Sequence, residues 1–220
     1  MDFFKFIVIV AVTFSNFWIW KIISNNLLIG ILLILASILG FIFISSKTNR
    51  LFLICLSLVF TILVVITINV AFDKNLTIVS SQMRLLLDKR HQFFSSDLGK
   101  VFKNKLALNY YVNWYPKISK FHRNISYVVD LNSYFFESHP RERPGFNEFS
   151  KYPFFLAPIF ILGLLIILVK GNKRLVLSAV ILICLSAITV PEFALGPILS
   201  FPIINSLLAT GIIAAKEYLG

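Results

Sequence analysis

Apolar residues come in long unbroken runs along this chain rather than in alternation with polar ones. The runs cover 6–20, 27–44 and 51–72, then 154–169, 175–190 and 193–215. A helix rises 1.5 Å per residue, so a hydrocarbon core of about 30 Å takes roughly 20 apolar residues. Each run reaches or approaches that length. Between the two sets lies one long segment, 73–152, where polar and apolar positions mix. The pattern predicts an all-α polytopic membrane protein. About six transmembrane helices, three plus three, flank a mainly helical extracytoplasmic domain. The parts are 1–72 with three spans, 73–152 as an amphipathic and aromatic domain, and 153–220 with two to three spans. The last run is the least regular, because Gly196, Pro197, Pro202 and Gly211 interrupt it. Broken backbone is not tolerated against lipid, so this segment is expected to pack on its neighbours or line a cavity. It either spans fully or re-enters.

The middle segment carries helical spacing of its own. Leu76, Val79, Met83, Leu86 and Leu87 repeat at one interval, and Leu98, Val101, Phe102 and Leu106 at another. Lys100, Lys103 and Lys105 stand beside the second set. Two helices lying on the membrane surface fit this pattern, with the three lysines near lipid phosphate. Two helices packed on each other in a small domain fit it equally. Tyr110, Tyr111, Trp114 and Tyr115 cluster before Pro116, and 126–129 reads as a short strand.

Composition removes the main competitor. Hydrophobic residues make up 58% of the 220 positions and charged residues only 14%, with mean hydropathy +0.84. Soluble domains carry about a quarter charged residues. Six such runs buried in a soluble bundle would leave almost no polar face. The N-terminal run, with Lys5 against Asp2 and no small-residue cleavage site, reads as an uncleaved span. Cys55 and Cys184 sit in apolar runs and read as packing residues; no metal site and no cofactor is indicated.

The formal charge is +11. It orients the chain. Lys47 and Arg50 occupy one short loop, and Lys170, Lys173 and Arg174 another, on the same side of a six-span protein. The positive-inside rule makes that side cytoplasmic, with both termini, and leaves 73–152 outside. The long segment has thirteen Lys or Arg against seven Asp or Glu. Loops beyond about 60 residues are largely exempt from the rule. Trp18, Trp20 and Tyr152 would then lie at the outer head-group level. The basic residues are scattered rather than gathered in a reader motif, which argues against nucleic acid.

Chemistry concentrates at 130–149, DLNSYFFESHPRERPGFNEF. His139, Arg141 and Arg143 place an imidazole and two guanidinium forks within five residues, in a turn stiffened by Pro140, Pro144 and Gly145. Arginine matches phosphate bidentately. With Asp130 these are the candidate ligand-binding residues, and a phospholipid or polyprenyl-phosphate group is the candidate ligand. The alternative is that Arg141 and Arg143 pair with Glu137, Glu142 or Glu148 and anchor the loop. No span carries a charge at its middle; Asn69 is a strong amide deep in the third. An ion-coupled transporter is therefore disfavoured.

The DLNSYFF run and the apolar stretch after 153 resemble a segment of bacterial PMT-like, GT-C type membrane glycosyltransferases. The resemblance covers roughly forty residues. It implies a plasma-membrane enzyme of the bacterial envelope that takes a sugar from a polyprenyl-phosphate donor. The family's catalytic acid lies in the large outer loop after the first span. The matching turn here, 21–26, reads KIISNN and has no carboxylate. No catalytic residue carries over, because a general base must ionise and reach the acceptor. The expected function is an envelope protein whose outer domain binds membrane lipid, a polyprenyl-phosphate-linked sugar or another envelope protein. The enzyme reading, a truncated or split glycosyltransferase relative, stands second.

Overall fold

A computed structural model describes residues 3–45, 50–72, 76, 81–96, 105–136, 149–169, 173–189 and 195–219. Among these the chain is almost wholly helical, with no strand beyond an isolated bridge between Phe72 and Thr189. The helices are α1 (Phe3–Phe14), α2 (Phe17–Asn25), α3 (Leu27–Ser45) and α4 (Arg50–Ala71) in the first part. The middle segment holds α5 (Ser81–Ser96), α6 (Lys105–Asn109), a π-helical turn at Tyr110–Trp114, α7 (Tyr115–Val129) and α8 (Asn132–Phe135). The last part holds α9 (Ala157–Val169), α10 (Lys173–Ile188) and α11 (Phe201–Leu219).

Three of these are long and apolar enough to cross a membrane: Leu27–Ser45, Phe52–Ala71 and Ile198–Tyr218. The first apolar run is not one straight helix. It is broken into α1 and α2, which meet at 63°. Asn16 makes the break. Its side-chain amide donates to the carbonyls of Val12 and Thr13, both at 2.9 Å, and its side-chain oxygen accepts from the Ile19 amide at 2.9 Å. One buried side chain thus closes the end of α1 and caps the start of α2. Asn26 repeats the device between α2 and α3. Here the backbone N–H donates to the Ile22 carbonyl and the side-chain oxygen accepts from the Ile29 amide. The stretches at Phe154–Val169 and Val176–Ile188 are shorter apolar helices.

The irregular last run resolves into the central helix. Pro202 is the second residue of α11, inside the first turn, where a missing donor costs nothing. Within Ile198–Tyr218, 72% of the apolar window is buried, against 11% for Phe52–Ala71. The expectation that this segment packs on its neighbours holds: α11 lies against α9, α3 and α1. Two glycines allow the closest approach. A Cβ on Gly163 of α9 would fall 2.0 Å from the Leu207 carbonyl oxygen, and one on Gly211 would fall 2.1 Å from that of Ile159. At the same end of the bundle as the start of α1, the Lys216 ammonium lies 3.6 Å from the Phe4 ring centroid.

The residues at 126–129 are the last turns of α7, not a strand. Pro116 at the helix start fixes a helical φ, and Asn124 and Val128 are buried one turn apart on the face that meets α10. That packing outweighs the β preference of the valines. The Asn124 side-chain amide donates to the Ala187 carbonyl at 2.9 Å, capping α10 from a residue far away in sequence. Of the two expected surface helices, α5 begins at Ser81 and exposes Leu85 and Leu86. Only the end of the second, from α6 onward, lies within the described residues.

Candidate functional site

The block at 130–149 is tied to the helical bundle at its foot. The Tyr134 carbonyl accepts from both the Lys151 and Tyr152 amides, at 3.0 and 2.9 Å. The Lys151 ammonium donates to the Ser133 carbonyl. The residues on either side of 137–148 are therefore held together.

They are held at an aromatic joint. Trp18 of α2 meets Tyr134, Tyr152 and Phe201 at 5.7, 6.1 and 5.4 Å between ring centroids. Phe135 adds contacts to Tyr152 and Phe160. These are tilted and edge-on arrangements, the ones that the ring quadrupole favours. The indole N–H of Trp18 donates to the Leu195 carbonyl. Parts of the chain far apart in sequence thus converge on one ring.

Polar groups thread through the joint in pairs. The Tyr152 hydroxyl donates to the Asn205 side-chain oxygen at 2.7 Å, and the Asn205 amide donates to Ser37 Oγ at 3.3 Å. Ser37 in turn donates to the Leu33 carbonyl. The Tyr134 hydroxyl lies 2.7 Å from the Val128 carbonyl and 2.9 Å from Ser200 Oγ, which itself lies 2.6 Å from the Pro197 carbonyl. Two hydroxyl protons serve these three short contacts. Burial pushes both phenols well above their ordinary range. They stay neutral and act as hydrogen-bonding struts, not as bases.

Lys151 is the one charged side chain buried among the described residues, at 5% exposure. Its ammonium lies 5.6, 5.4 and 5.7 Å from the ring centroids of Trp18, Tyr134 and Phe149. The rings and the Ser133 carbonyl replace the water it gave up. Gly196, at φ 71°, runs beneath it; a Cβ there would come within 2.7 Å of Lys151 Cε. On Phe149 a second cation arrives from α2: the Lys21 ammonium lies 3.7 Å from the ring centroid. Lys21 is exposed to the surroundings. The foot of the block thus carries two ammonium groups on one ring.

His139, Arg141 and Arg143 fall at 137–148, outside the described residues, as do Lys100 and Lys103. Lys105 opens α6, but its side chain is also outside them. Asp130 is placed. It ends α7, its carboxylate accepts from the Asn132 amide at 3.0 Å, and its carbonyl accepts from Ser133. It shapes the turn into α8. Trp18 and Tyr152 are fully buried inside the protein, whereas Trp20 is half exposed, with its indole N–H on the Phe14 carbonyl. Each buried ring is fixed by an inward hydrogen bond that spacing alone does not reveal. The same holds for Lys151, whose ammonium is fixed on the Ser133 carbonyl. A polar residue inside an apolar run was the available signal for Asn16 and Asn205.

No family model matches the chain, and no curated protein or solved structure matches it.

Proposed function

We propose that this chain is an integral protein of a bacterial plasma membrane whose outer segment binds an anionic head group at the membrane surface. In this reading six helical passes, with α1 and α2 as one bent pass, put both termini in the cytoplasm and 73–152 outside. The ligand is a membrane lipid or the phosphate of a polyprenyl-linked saccharide. The observation that carries the reading is the pair of lysines on Phe149. Lys21 and Lys151 meet at Phe149, six residues along the chain from Arg143. Their positive potential adds to that of Arg141 and Arg143, which supply bidentate donors for phosphate.

The experiment compares wild type with Arg141→Ala/Arg143→Ala and with Lys21→Ala. Co-purified polyprenyl phosphate and anionic phospholipid are quantified beside the melting temperature in detergent. Charge-assisted hydrogen bonds contribute about 1.5–3 kcal/mol each, so the double variant should lose at least about tenfold in lipid retention. Lys21→Ala should lose less, and neither should melt much lower. A double variant that melts far lower yet keeps its lipids would make the arginines structural anchors and remove this function.

A further inference from the structure

We infer that the groove between α4 and α10 is a binding site for one hydrocarbon chain of an anionic membrane lipid, with the head group at the ends where those two helices begin. The two helices are joined at one end by the bridge between Phe72 and Thr189. Elsewhere a groove of about 580 Å³ separates them. Leu56, Phe60 and Val64 form one wall, Ala179 and Leu182 the other, and Ile203 of α11 the floor. The volume is that of an ordinary small-ligand pocket. Its lining on α4 runs from Leu53 to Val65, or about 18 Å of helix, more than half the thickness of a hydrocarbon core.

Three observations choose the occupant. The groove lies in helices long or apolar enough to sit within a bilayer, and only 11% of the apolar window of α4 is buried by the protein itself. The polar side chains of the lining are serine and threonine hydroxyls, and several satisfy themselves on their own helix. Ser57, Thr61 and Ser206 donate to the carbonyls of Ile54, Ser57 and Pro202. Such hydroxyls ask nothing of a ligand, which suits an alkyl chain. At the open end the first residue of α4 is Arg50, and the first two of α10 are Lys173 and Arg174. Two helix N-termini, each beginning in basic residues, favour a negative head group over a zwitterionic one. This end is opposite the aromatic joint, so the site is separate from the head-group site proposed above and stands without it.

The test is native mass spectrometry of the full chain, equilibrated in detergent with phosphatidylglycerol or with phosphatidylcholine. Wild type should hold one phosphatidylglycerol after bulk lipid is stripped. Ala179→Phe and Thr61→Phe fill the groove from opposite walls and should lose it. Ile161→Phe, on an exposed face of α9 outside the groove, should keep it. Arg50→Gln/Lys173→Gln/Arg174→Gln should lose the preference for phosphatidylglycerol, by roughly fivefold per charge. Wild type alone gives a further arm: it should retain single-chain lysophosphatidylglycerol and not glycerophosphoglycerol, which has the same head group without the chain. Equal retention by wild type and both filled variants overturns the site. So does equal retention of the two lipids by wild type, or of the chainless head group. A wild-type dimer that Ala179→Phe dissolves would assign the groove to a second copy and overturn it as well.

Discussion

Asn16 shows how much a single polar side chain decides in an apolar helix. It makes three short hydrogen bonds to backbone on both sides of the break. Asn16→Leu keeps the γ-branched outline, removes both caps and leaves buried backbone groups unsatisfied. A cap contributes about 1 kcal/mol, so the variant should lose roughly 2 kcal/mol in detergent unfolding. An unchanged unfolding midpoint would show that the bend is held by packing alone. The buried phenols give a second test, in pH. Tyr134 and Tyr152 are raised above the usual value of 10.0 in the folded chain. Below about pH 10 folded and unfolded chains both keep these protons. Above it only the unfolded chain releases them, so stability falls as pH rises past about 10. Tyr134→Phe and Tyr152→Phe should each flatten that alkaline loss in a pH series of melting temperatures. Sequence reading noted the apolar run around Asn16 but not its break, because an amide inside a run satisfies itself on any of several carbonyls. Which ones it finds depends on where the chain turns.

Among the elements, the pairing of α9 with α11 is the one most dependent on residue size. Gly163 and Gly211 bring backbone against backbone. Gly163→Ala should cost about 1–3 kcal/mol in detergent stability, since the new methyl meets a carbonyl that cannot yield. Gly40→Ala is the matched control. Its Cβ would meet nothing closer than Ser206 Oγ at 3.9 Å, so helix propensity should make it neutral or slightly stabilising. A Gly163→Ala variant as stable as the control would mean the two helices are not packed this closely.

The connection through α6, the π-helical turn and α7 offers another element-scale test. Leu106, Tyr110, Trp114 and Ile118 follow one another at intervals of four and are exposed at 77, 48, 58 and 46%. The face of α7 that carries Asn124 and Val128 is packed on α10, and Arg123 and Ser126 face outward elsewhere. A helix with separate protein, apolar and polar sides suits a lipid–water interface. In a Trp20→Phe background, with Trp18 buried, brominated lipid should quench Trp114 fluorescence strongly; a Trp114 as dark to bromine as Trp18 would contradict this placement. The helix that ends in α6 was legible from the spacing of Leu98, Val101, Phe102 and Leu106, whereas α7 was not, since 126–129 read as a strand. Helix ends were not legible either, because the packing of α7 on α10 and the first turn of α11 depend on contacts across the whole chain.

At the scale of the molecule, the long apolar runs gave the class of fold before any contact was known. The alternation of directions is consistent with it: Phe72 meets Thr189 at one end of the bundle, and Phe4 meets Lys216 at one end. What stayed hidden was the joint itself, since Trp18, Tyr134, Tyr152 and Asn205 come together only after every intervening helix has turned. The candidate arginines were legible as chemistry, and the two lysines on Phe149 were not, because a lysine on an aromatic ring leaves no mark in spacing. The orientation of this bundle sets the membrane face on which each lipid site opens, and cysteine accessibility measures it directly. In a Cys55→Ser/Cys184→Ser background, single cysteines replace His122 on the exposed side of α7 and Asn172 between α9 and α10. A membrane-impermeant maleimide added to intact cells should label position 122 and spare 172 until the membrane is opened. Labelling at 172 with protection at 122 would invert the protein and contradict the account.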